Sequence, residues 1–305
     1  MRDVRAARRS ILILFVVVLL LPACNRLTGQ QSTSTIAIGS KNFTEEFILG
    51  EMYADLLEDA GFKVERKLNL GATPVAHEAL LKGDIDLYPE YTSTALLTVL
   101  KDEPMSDRQA IFEKVKSEYE QRFKLTWLQP APFNDTQALA TTPKIADQFN
   151  LRTFSDLSQA APNLVIGGPP EFFAREDGLP GLQKAYGGFQ FKDQRQLDPG
   201  LRYQALLNGD IDVVVAFGTD GQLQGYDLVR LEDDKNFYPP YQAAPVVRQD
   251  TLSANPGIAD ALNKVEPLLT NEVMAELNWK VDGPAKMEPA EVARQFLVEK
   301  GLIRK

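Results

Sequence analysis

Catalysis and metal binding need reactive side chains, and this 305-residue chain offers few: one cysteine, Cys24, and one histidine, His77. A single cysteine makes no internal disulfide, and Cys24 stands where an apolar run from Ile11 to Leu21 ends in Pro22-Ala23. His77 falls within a helical run from Pro74 to Leu81. Without carboxylate partners a lone histidine builds no metal site, so it reads as structural or surface. Neither a serine–histidine–acid set, a cysteine–histidine pair nor a Gly-rich phosphate loop can be assembled. Carboxylates for acid–base work remain open. Alternation puts Asp84 and Asp86 on one strand face, but their echo at Asp210 and Asp212 fits turn chemistry better. No cofactor and no metal is therefore expected. The suggestive groups are aromatic: Tyr91 lies eight positions after Gly83, and Phe217 eight after Gly209.

That spacing belongs to an internal repeat. Leu80-Leu81-Lys82-Gly83-Asp84-Ile85-Asp86-Leu87 is echoed 126 positions later by Leu206-Leu207-Asn208-Gly209-Asp210-Ile211-Asp212-Val213, and Ile36-Ala37-Ile38-Gly39 is echoed 128 positions later by Leu164-Val165-Ile166-Gly167. Matched offsets imply two copies of one unit. Short β-branched runs alternate with longer amphipathic ones, which predicts an α/β fold. Thr35 to Gly39 reads as the first strand. A helix follows, with Asn42 as cap, Glu45 at its third position and Gly61 as stop, and Phe47, Ile48, Met52, Leu56 and Ala60 toward the core. Pro289 and Gly301 bound a last helix carrying Val292, Phe296 and Leu297 inward. Ligands of open α/β sheets bind beyond the carboxyl ends of the strands. Tyr91 and Phe217 should then face one gap between two lobes. The loops Ser40-Lys41 and Gly168-Pro169-Pro170 should open on it too, each leading into a helix N-terminus that favours anions. Taken singly, either ring would by default be a core aromatic.

The N-terminus reads as a secretory signal over residues 1–23: Arg2, Arg5, Arg8 and Arg9 precede the apolar run. Leu21-Pro22-Ala23-Cys24 resembles a bacterial lipobox, which makes Cys24 the lipidation site, although Pro22 is unusual there. Residues 24–34, rich in Ser, Thr and Gln, read as a flexible tether. The net charge is −9; removing residues 1–23, with four Arg and one Asp, makes it −12. An acidic mature chain without a basic run argues against nucleic acid and against adhesion to anionic lipid by its face. Membrane attachment is expected through the lipid alone.

Five blocks carry a resemblance: Gly39-Ser40-Lys41-Asn42-Phe43-Thr44-Glu45, Asp86 to Thr94, Gly167 to Phe172, Thr219-Asp220, and Tyr238-Pro239-Pro240-Tyr241. Together they resemble the substrate-binding proteins of osmoprotectant ABC importers, the betaine, choline and carnitine group, over Ile36 to Ile303. The resemblance implies a two-lobe type II periplasmic-binding fold that closes on ligand. It also implies lobe one at 35–136 plus 243–305 and lobe two at 137–242. It further implies an extracytoplasmic monomer serving an ABC permease and its ATPase. Carried over by position, Tyr91, Phe217 and Tyr241 would cage a quaternary ammonium, and Lys41, Thr94 and Arg175 would meet a carboxylate tail. Such an ammonium has no N–H to donate, so aromatic faces hold it, while an arginine can grip a carboxylate with two parallel bonds. This chain departs from the family at Gln137 and at Phe217, both tyrosine in many members; Gln137 could instead bond a polar group of a larger betaine. Glycine betaine is the expected ligand, with another small zwitterion (carnitine, choline, ergothioneine or an amino acid) as the alternative. An enzyme on the same fold and a sensor lipoprotein without a transporter are the other classes in play.

Overall fold

The computed structural model describes residues 35–304. The signal segment, Cys24 and the tether expected within 1–34 lie outside the described residues. The β-branched runs become strands in the order the periodicity suggests: β1 Ile36–Gly39, β2 Val64–Lys67, β3 Leu87–Tyr91, β4 Leu125–Trp127, β5 Gln137–Thr141, β6 Val165–Gly168, β7 Asp193–Gln196, β8 Val213–Phe217, β9 Val229–Arg230 and β10 Ala243–Arg248. They form two five-stranded sheets, ordered β2-β1-β3-β10-β4 and β7-β6-β8-β5-β9. In each, three strands run parallel, and a strand from beyond the three joins the last of them antiparallel: β10 beside β3, β5 beside β8. The fold is therefore two-lobed and mixed α/β, with the chain crossing between lobes through residues 128–136 and 231–242.

The repeated Gly-Asp-Ile-Asp segments do the same work in both lobes. Gly83 and Gly209 end their helices at φ 78° and 77°, a left-handed conformation that favours glycine. Asp86 and Asp212 then accept hydrogen bonds from the backbone N–H of Ala37 (2.8 Å) and Val165 (2.9 Å), pinning the first strand of each lobe to the turn. Asp84 and Asp86 both precede β3, which starts at Leu87, so they share no strand face, which corrects the alternation reading and leaves the turn chemistry.

The first helix, Thr44–Asp59, starts later than the Asn42 cap predicts; its N-cap is Phe43, with no side-chain cap. At this end Glu46, and not Glu45, turns its carboxylate back to accept a backbone N–H, that of Lys41, at 2.9 Å. Ile48, Met52 and Leu56 are buried as expected, Phe47 is half-buried, and Ala60 is exposed beyond the helix end. The last helix, Pro289–Glu299, packs Val292, Phe296 and Leu297 against this first one. His77 is buried against the rings of Tyr119 and Phe123, centroids 5.4 and 5.1 Å away, and burial lowers its pKa. Among the described residues no helix is long and apolar enough to cross a membrane.

Candidate ligand-binding site

The carboxyl ends of β1, β3, β6 and β8 converge on a cavity of about 300 Å³ between the lobes. Lys41, Tyr91, Thr94, Gln137, Arg175, Phe217 and Tyr241 all line it. Tyr91 ends β3, Phe217 ends β8, Gln137 opens β5, and Tyr241 lies on the second crossing segment. Thr94 follows β3 in a buried turn of helix. A further ring, Phe43, lies 6.1 Å from Tyr91, centroid to centroid.

Each cation here already has a carboxylate of its own. The Lys41 ammonium donates to Glu90 at 2.7 Å and stands 4.5 Å over the Tyr91 ring, so an internal cation sits on a face of the cage. Glu46 lies 3.6 Å from the same ammonium, and burial raises its pKa to about 8 against the pull of Lys41. Arg175 sits in the bend between the short 3₁₀ turn Pro170–Phe173 and the helix Leu179–Tyr186, and grips both oxygens of Asp177. Asp177 also accepts from the Tyr241 hydroxyl at 2.6 Å and the Gln137 amide at 3.2 Å. Because every partner of the Gln137 amide nitrogen can accept, its orientation is settled by chemistry. Arg202 is buried, bonds both oxygens of Asp220, and lies 5.2 Å over the Phe217 ring.

Sequence reasoning did not find Glu90, Asp177, Arg202 or the acidic pole at the other end of the cavity. There Glu45 accepts from Tyr91 Oη (2.7 Å), Thr219 Oγ1 (2.5 Å) and Asn278 Nδ2 (3.0 Å). Burial pushes its pKa up to about 7, with those three hydrogen bonds opposing. Glu45 was visible as a helix-start residue and as the end of a resembling block, and Thr219-Asp220 only within such a block. What the cavity can do is hold a small ligand against rings, with two guanidiniums, one ammonium and several acceptors around it. Among the described residues no cluster of His, Cys, Asp and Glu is suited to a metal ion.

The family model for the OpuAC substrate binding domain of ABC-type glycine betaine transport systems matches residues 34–299. The chain belongs to the OpuAC family. This OpuAC domain is 36% identical over 272 residues to the carnitine transport binding protein OpuCC of Listeria monocytogenes serotype 1/2a, covering 88% of each chain. It is 37% identical over 268 residues to the ergothioneine transport permease/ergothioneine binding protein EgtU of Helicobacter pylori, covering 88% of this chain but 48% of that protein, so it spans about half of that relative. A crystal structure of a glycine betaine/carnitine/choline ABC transporter superposes with a TM-score of 0.71 at 31% identity, covering 88% of this chain and 99% of the other. OpuAC domains are substrate-binding parts of transporters and not enzymes. Their partners are a small ligand and a permease, and their place is extracytoplasmic.

Proposed function

We propose that this OpuAC domain captures a small quaternary-ammonium zwitterion, glycine betaine first, and delivers it to an ABC permease driven by its ATPase. The observation that carries the reading is the convergence of Tyr91, Phe217, Tyr241 and Phe43 on one cavity that also holds Arg175. The rings offer negative faces to a cation that cannot donate, each worth about 0.5–2 kcal/mol. The unpaired edge of Arg175 suits a carboxylate. At about 300 Å³ the cavity lies at the small end of the usual range for ligand sites. Lobes at 35–136 with 243–305 and at 137–242 would close over the ligand and exclude water. The mature protein would be a monomer held to the membrane by lipid on Cys24, as its lipobox-like segment suggests.

A second reading is a cation without a carboxylate, such as choline. It is favoured by one fact: Lys41 and Arg175, the expected clamp, are both neutralised internally by Glu90 and Asp177. Calorimetry of residues 25–305, which leave out Cys24, against glycine betaine, proline betaine, carnitine, choline and ergothioneine, tests both. Saturable binding that Tyr91→Ala abolishes supports the cage. Binding untouched by Tyr91→Ala, or silence from a folded protein, would refute it.

A further inference from the structure

One hydroxyl at the acidic pole has more oxygen neighbours than it has protons. Thr219 Oγ1 lies 2.5 Å from Glu45 Oε2 and 2.7 Å from Asp135 Oδ1. A hydroxyl donates one hydrogen bond. If it donates to Glu45, the Asp135 contact needs a hydrogen that only a carboxylic acid can supply, and the converse holds if it donates to Asp135. Two ionised carboxylates around one hydroxyl would leave an oxygen–oxygen contact with no proton in it. The three residues come from three parts of the chain: Glu45 from the first helix of lobe one, Thr219 from the loop after β8 in lobe two, and Asp135 from the first crossing segment. Asp135 is tied there to the second crossing segment, its N–H donating to the Tyr241 carbonyl at 2.9 Å. The chain Glu45–Thr219–Asp135 is therefore a contact between lobes, anchored where the lobes join.

We propose that this contact binds a proton, and that closing of the lobes over ligand takes it up. Asp135 carries it, since Glu45 also accepts from Tyr91 and Asn278, as suits an ionised carboxylate, while the Asp135 carboxyl meets no donor but Thr219 among the described residues. Asp135 is thus a positioning residue for closure.

The surroundings favour keeping the proton. Glu45, Asp135 and Thr219 are all buried. Burial raises the pKa of Asp135 well above the carboxylate range, and the charges of Glu45 and Asp220 raise it further. Around Glu45, Tyr91 and Asn278 donate from β3 and the helix Asn271–Asp282, and on its own helix Glu46 is engaged with Lys41. On the lobe-two side Asp220 is balanced by Arg202. Asp282, at the end of the same helix, has its own pKa raised by burial while it accepts from Thr44 and Gln222. No cation pairs with Glu45 or Asp135 among the described residues. In separated lobes both carboxyls would be hydrated and ionised near neutral pH. Asn278 Oδ1, buried beside this contact at the cavity wall, has no partner and offers one more acceptor, not a counter-charge.

The inference rests on the ligand-capture reading, and its test separates the two. Binding heats of the bound member of the panel are measured at pH 6.5 in buffers of different ionisation enthalpy, and Kd is followed from pH 5.5 to 8. The expected result is uptake of about one proton and a Kd that rises up to about tenfold per pH unit as the site loses its proton. Asp135→Asn, whose amide supplies the missing hydrogen, should bind without proton uptake and with a flatter profile. Heats independent of buffer in the wild type would overturn the proposal while leaving ligand capture intact. If no ligand binds, small-angle scattering of the ligand-free protein between pH 8 and 5.5 decides it, because a proton bound on closing must in turn favour the closed form. Compaction at low pH that Asp135→Asn loses supports the proton site though the capture reading has failed; dimensions independent of pH refute the site. Should Asp135→Asn not fold, the wild-type buffer or scattering series decides alone.

Discussion

Arg175→Ala should separate zwitterions from simple cations. Two of the three guanidinium nitrogens of Arg175, Nε and Nη2, are engaged by Asp177, and Nη1 has no partner among the described residues. A ligand carboxylate meeting that free edge gains a charge-assisted hydrogen bond of about 1.5–3 kcal/mol. Removing it should weaken glycine betaine about 10- to 150-fold. Choline has nothing to lose there. The substitution also strips Asp177 of its counter-charge while leaving it the Tyr241 hydroxyl at 2.6 Å and the Gln137 amide at 3.2 Å. The freed negative charge then faces the space the guanidinium vacated, so choline should bind as well as before or more tightly. Calorimetry with both ligands on one preparation reads the ratio, and a thermal melt shows that the variant is folded. Equal weakening of both ligands would refute the reasoning, because Arg175 would then act by holding the cavity wall and not by meeting a carboxylate.

Two further outcomes are expected. Gln137→Tyr adds a ring beside Tyr241 and should tighten a quaternary ammonium about two- to thirtyfold if a face worth about 0.5–2 kcal/mol is gained; unchanged or weaker binding would mean the amide bonds to Asp177 matter more. Glu266 is fully buried under the Tyr53 hydroxyl (2.7 Å), and burial raises its pKa from 4.5 to about 8 with that hydrogen bond opposing. A carboxyl that prefers its proton when folded stabilises in full below its unfolded pKa and loses that contribution as pH rises through about 8. The melting midpoint of Glu266→Gln relative to wild type should therefore climb between pH 5 and 8, and a difference flat with pH would count against it.

The two-lobe fold was legible because the repeat is written in residues that face inward or turn the chain: Gly83 and Gly209 at their helix ends, Asp86 and Asp212 at their strand starts. The cavity wall was legible where a residue's place on a strand end decides its direction, as for Tyr91 and Phe217. Ion pairing was not, since it depends on side chains that meet only after folding. Asp177 stands two residues from Arg175, a local signal, yet nothing in the run Arg175-Glu176-Asp177 by itself separates an exposed helix face from a bend that encloses the pair; it is a bend, and the pair is inside it. Glu90 hides in the same way within β3, fully buried beneath Lys41. Glu45 was the hardest to see. An acid in the first turn of a helix is ordinary on dipole grounds, and nothing nearby in sequence says that Thr219 and Asn278 will cover it.

The placing of β10 has a consequence for how the molecule is made. This strand carries residues 243–248 into the middle of the first sheet, between β3 and β4, and β4 pairs with no other strand. Strand β3 meets β1 at a single register position, Ile38 to Leu87, but meets β10 at five. Everything the second sheet needs, by contrast, lies within 137–230. As the chain emerges during synthesis, its first 127 residues lack the strand that joins their sheet, while the stretch after them is already complete in itself. The lobe that is written second is thus the one equipped to fold first, and the earlier one must wait, its apolar strand edges unpaired, for the return of a segment more than a hundred residues downstream. Long-range pairing of this kind slows folding and exposes sticky edges.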